Sequence, residues 1–143
     1  MKKVINILLL IIWLIVIFLF SNQVAEESKR TTAPIDKVVD MVVKQESKRD
    51  KAKKVVRKIA HFTEYCILAL LIINVIKDYK TINYKGLIFV VCMCILYALS
   101  DEYHQSFIAG REPRIFDCFI DTCGSLFGIL IYNIGKKIGK KGK

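Results

Sequence analysis

Arg57, His61 and Glu64 follow one another at i, i+4 and i+7, so on a helix a permanent base, an imidazole and a carboxylate share one face. Asp117 and Asp121 repeat the i, i+4 spacing further along, and Asp101, Glu102 and His104 crowd into four consecutive positions. Such a set can move protons, orient bases that grip phosphate, or ligate a metal ion. For acid–base work the candidate catalytic residues are Glu102 or His104 as general base, with Asp121 as the orienting carboxylate. Partly buried like-charged pairs, here Asp101/Glu102 and Asp117/Asp121, are where proton affinities shift enough for that work.

Metal chemistry is the weaker option. His61, Glu64, Glu102, His104 and Asp121 are suitable ligand types, but no HExxH or comparable spacing joins them. No cofactor is therefore expected; a divalent metal, if held, would fall first to His61, Glu64 and His104. There is no GxSxG elbow and no phosphate-cradling glycine loop. Cys66, Cys92, Cys94, Cys118 and Cys123 lie inside apolar runs without a paired CxxC pattern, which makes them small buried hydrophobes.

The elements that must position these groups are greasy. Of 143 residues, 54% are hydrophobic, and four long apolar stretches cover residues 4–20, 59–76, 86–100 and 115–134. A hydrocarbon core of roughly 30 Å takes about 20 helical residues, so the third stretch must run on to residue 104. Helices satisfy their own backbone in lipid, and no strand-like alternation is present. The expected fold is a single-domain, all-α integral membrane protein with four transmembrane helices. The first run exceeds the roughly 7–15 apolar residues of a signal peptide and "SNQVAEE" is a poor cleavage site, so it reads as a retained helix.

Between the first two spans, Ile35, Val38, Val39, Val42 and Val43 repeat with helical period behind Thr32 and Pro34. That is an amphipathic interfacial helix in the first extracytoplasmic loop. "SKRD" at 47–50 then opens a helix that continues into the second span. Net charge is +10, but the bases flank the apolar runs and match anionic lipid headgroups, with no nucleic-acid motif. With the N-terminus inside, ten lysines fall on three very short segments and the other 13 bases spread over longer loops. Their density argues for N-in and C-in.

That topology brings four helix ends to one side of the membrane: "FSNQ" at 20–23, "RKIAHFTEY" at 57–65, "SDEYHQ" at 100–105 and "DCFID" at 117–121. On the last span Asp117, Asp121, Gly124 and Gly128 form one stripe, so the acids face other helices. The GxxxG pair could equally serve an oligomer. Asp121 sits on the order of 9 Å inside its span, and a mid-bilayer Asp costs about 2.5–3.5 kcal/mol, less near an interface. It must be paired or needed. An ion-pair network that merely pins the helices together is the plain alternative, although such networks are often no better than apolar packing.

These segments resemble the VanZ-like membrane proteins of Gram-positive bacteria, over essentially the whole chain. The matching positions are Ser21, Gln23, Lys58, His61, Glu64, Asp101, Glu102, His104, Gln105, Arg111, Asp117 and Asp121. The family's FxPGR turn stands here as Phe107 to Arg111 with Ala109 in place of proline, a change in loop stiffness only. The resemblance implies low-level resistance to lipoglycopeptide antibiotics such as teicoplanin, or a role in envelope physiology, in a bacterial cell membrane. It supplies no mechanism. The reading that joins it to the residues is an extracytoplasmic polar pocket, built from these positions other than Ser21 together with Arg57, that binds an amphiphilic envelope ligand; Arg114 is a further base that could pair the acids. That ligand would be a lipid-linked wall precursor or the lipid-tailed antibiotic. Arg57, Lys58 and Arg111 would hold its anionic groups, while Glu64, Glu102, Asp117 and Asp121 orient the bases. The alternative is an integral-membrane hydrolase or transferase acting on a lipid-linked substrate through His and carboxylate chemistry.

Overall fold

The computed structural model of the chain describes residues 1–21, 46–107 and 115–141. They form four helices: α1 (Lys2–Ser21), α2 (Glu46–Lys77), α3 (Tyr84–Gln105) and α4 (Ile115–Lys141). Each contains a stretch long and apolar enough to cross a membrane, at Lys2–Ser21, Val55–Lys77, Tyr84–Gln105 and Ile115–Gly139. Twenty residues rising 1.5 Å apiece span about 30 Å, the thickness of the hydrocarbon core. No strand occurs among the described residues. The chain is an all-α, multi-pass membrane protein.

One unbroken helix carries "SKRD" into the second span, and α3 runs through Asp101 to Gln105, which gives the third span the length that 86–100 lacks. Helix α4 continues seven residues past position 134, into the lysine-rich tail. The interfacial helix expected over 35–43 lies outside the described residues, as do Gln23, Arg111 and Arg114.

Helix α2 is the centre of the bundle and packs on the other three, most extensively on α4. Two glycines make that contact possible. A Cβ at Gly124 would overlap the carbonyl oxygen of Phe62, and one at Gly128 would come within 2.5 Å of the carbonyl oxygen of Cys66. The registers 124 to 62 and 128 to 66 rise together, so α2 and α4 run parallel with backbones nearly touching, as small-residue stripes allow in lipid. The glycine face, open in the sequence to self-association, is thus occupied by α2 of the same chain.

Around this seam Ile17, Tyr65, Leu68, Ile73, Val90 and Cys94 form a buried core. Large apolar side chains on the outer surfaces, among them Leu8, Ile12, Leu96, Leu99, Phe119 and Leu130, are exposed, as lipid-facing positions must be. All five cysteines are free. Cys66 and Cys94 are buried and Cys118 and Cys123 partly so, but Cys92 is exposed, because the buried stripe of α3 runs through Val90, Cys94 and Ala98.

At one end lysines gather. There Asn6 Nδ2 donates to Asp78 Oδ2 at 2.6 Å, tying α1 to the end of α2, and Lys136 Nζ donates to the Ile82 carbonyl at 3.4 Å. Asn83 caps α3 by accepting the Gly86 amide at 3.0 Å.

Candidate functional site

The other end of the bundle is built from the last turn of α1, the membrane-entering turns of α2, the last turns of α3 and the first turns of α4. Asp101 and Gln105, one turn apart, point inward from α3. Gln105 Nε2 donates to Ser21 Oγ at 3.0 Å and to Asp101 Oδ2 at 2.9 Å, so one amide links α1 to α3 and holds a buried carboxylate. Trp13 Nε1 donates to the Glu64 carbonyl at 3.0 Å and Tyr97 Oη to the Leu14 carbonyl at 2.7 Å, which fixes α1 against both neighbours below this layer.

Across the α2/α4 seam, His61 Nδ1 stands 3.7 Å from Glu64 Oε2 and 3.9 Å from Asp121 Oδ1. Both separations exceed the usual hydrogen-bond range of about 2.7–3.2 Å, so the imidazole meets these two carboxylates at charge-contact distance. The register that sets this meeting is the glycine one, since Asp121 lies one turn before Gly124 and His61 directly precedes Phe62.

Asp121 is only 2% exposed, and Asp101, Glu102, Asp117 and Glu64 are all close enough to act on its charge. Five carboxylates from three helices thus converge on one layer. Among the described residues, neither Asp101, Asp117 nor Asp121 has a lysine or arginine within ion-pair distance. Asp117 Oδ1, Asp121 Oδ1 and the hydroxyl of Tyr65 are buried, with no hydrogen-bond partner among the described residues. A buried polar atom left this way costs about 1–3 kcal/mol, and such atoms are rare unless water, a proton or a ligand completes them.

Arg57 is exposed. The Lys58 ammonium lies over the Phe116 ring, 4.6 Å from its centre. His104 stacks on Phe18 with ring centres 4.9 Å apart, so the imidazole in charge contact with Asp121 is that of His61. Among the described residues no group of three or more His, Cys, Asp or Glu side chains is placed to hold a metal ion.

Tyr65 was not among the candidates. It is fully buried and lies within range of the charges of Asp121 and Asp101. Its place one turn after His61 on the same face was the signal that could have found it.

Against known families, residues 6–136 match VanZ/LLP1. The chain belongs to the VanZ/LLP1 family. No curated protein and no solved structure matches it. The VanZ/LLP1 match runs from the first turns of α1 to the last turns of α4, so it takes in the seam, the lysine end and every residue of the acidic layer.

Proposed function

We infer that this VanZ/LLP1 protein binds the polar head of an amphiphilic cell-envelope ligand in its acidic layer, facing outward from a bacterial cell membrane with both termini inside. One observation carries the reading. Among the described residues, buried acceptors and a buried hydroxyl converge without hydrogen-bond partners at a depth where water is scarce, and the three acids Asp101, Asp117 and Asp121 have no lysine or arginine at the distance a structural ion-pair network would need. A lipid-linked wall precursor or a lipoglycopeptide such as teicoplanin joins an apolar chain to a polar head at this depth. Donors of such a head, hydroxyls and amines, fit acceptors better than its phosphate does. Its anionic part falls to Arg57 and Lys58, with Arg111 as the third base that the sequence assigns to this task.

A second reading has an observation of its own. His61 between Glu64 and Asp121 has the arrangement of a general base with orienting carboxylates, which favours a hydrolase or transferase on a lipid-linked substrate. Titrating the protein in lipid nanodiscs with teicoplanin and with a polyprenyl-pyrophosphate-linked wall precursor tests both. Saturable binding that Asp121→Asn weakens at least tenfold is expected. Precursor turnover abolished by His61→Ala would establish the enzyme, and no saturable binding of either compound would refute the site.

A further inference from the structure

The lysine end, opposite the acidic layer, holds a second feature that the proposed function does not use. On the lysine side of the bond from Tyr97 to the Leu14 carbonyl, a cleft opens between α1 and α3 with α2 as its floor. In the membrane interior this cleft has a volume of about 270 Å³ and is walled by Leu10, Leu14, Ile72, Ile76, Phe89 and Met93. Tyr97, bonded to the Leu14 carbonyl, closes it toward mid-membrane. At the membrane surface it meets a second hollow of about 350 Å³ that includes Lys80, Thr81, Asn83 and Lys85. Ile76 and Phe89 line both, so the charged mouth and the apolar slot adjoin across these two side chains.

We propose that these adjoining hollows are a binding site for one anionic phospholipid, its phosphate at Lys80 and Lys85 and an acyl chain passing Ile76 and Phe89 to lie along α1 and α3. Charge selects the occupant. The other lysines near the mouth are engaged, Lys3 over the Tyr79 ring at 4.7 Å, Lys77 over Tyr132 at 5.5 Å and Lys136 on the Ile82 carbonyl. Lys80 and Lys85 have no such partner among the described residues. Asp78, the only acid at this end among the described residues, accepts Asn6 and does not line the hollow. Length agrees as well. From Phe89 to Tyr97 the helix rises roughly 12 Å, close to the ~15 Å of hydrocarbon in one leaflet. The capped start of α3 plays no part, since Asn83 already satisfies the Gly86 amide.

Native mass spectrometry of the detergent-solubilised full chain, titrated with phosphatidylglycerol or phosphatidylcholine of equal chain length, tests the site. Wild type should retain one phosphatidylglycerol in preference to phosphatidylcholine. A lysine near anionic lipid is worth about fivefold in affinity, so Lys80→Ala with Lys85→Ala should cut the preference roughly 25-fold. Lys2→Ala with Lys137→Ala removes the same charge from the same end but not from the hollow, and should leave the preference within about twofold of wild type. Met93→Trp, which fills the slot and keeps both lysines, should lose the retained lipid. Equal retention of the two lipids by wild type, or equal losses in the two double-lysine variants, would overturn the proposal in favour of unspecific surface attraction.

Discussion

Replacing Gly128 by alanine puts one carbon into the seam on which the acidic layer depends. The new Cβ would stand 2.5 Å from the Cys66 carbonyl oxygen and 3.3 Å from the Ala69 Cβ, while real Cβ contacts essentially never fall under 3.0 Å. Helices α2 and α4 must therefore part by at least roughly 0.5 Å, and neither obstacle can swing aside, since one is backbone and the other a methyl on the core. Overpacking of this kind costs about 1–3 kcal/mol, or about five- to 150-fold in the ratio of folded to unfolded protein, since each 1.4 kcal/mol is tenfold. Gly124→Ala should cost at least as much, because its Cβ would overlap the Phe62 carbonyl oxygen. The assay is equilibrium unfolding in mixed micelles of increasing SDS fraction, read by the fluorescence of Trp13. Gly135→Ala is the control, as a Cβ there meets nothing within 4 Å, and it should be neutral or slightly stabilising. If Gly128→Ala matched Gly135→Ala, the close parallel contact of α2 and α4 would be wrong, and with it the register that sets His61 against Asp121.

Other consequences are sharper for being different in kind. Asp121→Asn should leave the unfolding midpoint unchanged or raise it, because it removes a buried charge that has no Lys or Arg partner among the described residues; a loss of 3–5 kcal/mol, about what breaking a buried ion pair costs, would restore the structural reading. Gln105→Ala should destabilise by about 1–3 kcal/mol and Ser21→Ala by less, since the amide serves both Ser21 and Asp101 whereas the hydroxyl meets only one of its donors. Trp13→Phe removes the bond to the Glu64 carbonyl and should cost about 0.5–1.5 kcal/mol or somewhat more with the lost indole area, measured by thermal denaturation in detergent. In a cysteine-free background, a membrane-impermeant maleimide should label Ser106→Cys in intact cells and Lys80→Cys only after lysis; the reverse pattern would invert the topology and turn the acidic layer inward.

Much of this was legible in the sequence because lipid removes choices. Backbone satisfaction forces helices, hydropathy locates them, and an even number of crossings brings alternate ends to the same side. Helical period then put Asp121 on the glycine stripe, and the stripe does face another helix. What stayed illegible is how far each helix turns about its axis. That rotation decided that Asp121 meets His61 while His104 stacks on Phe18, and it depends on close contacts such as Phe62 against Gly124 that no single-helix pattern encodes. Arg57 shares a face with His61 and Glu64 as the spacing says, but it is exposed where they are half-buried, a difference that spacing on one helix does not encode. Tyr65 escaped because an aromatic on an apolar helix reads as core, which it also is; its buried hydroxyl gains meaning only beside Asp101 and Asp121.

The central claim is that the acidic layer works on a ligand and does more than hold helices together. Teicoplanin susceptibility of a sensitive Gram-positive host tests it most directly, with wild type, His61→Ala, Glu102→Gln, His104→Ala and Asp121→Asn expressed in turn and the membrane level of each protein quantified. The account predicts that wild type protects, and that His61→Ala, Glu102→Gln and Asp121→Asn return the host to its unprotected susceptibility at unchanged protein level. Protection that simply tracks the amount of protein across the variants, or wild type that gives none, would contradict it.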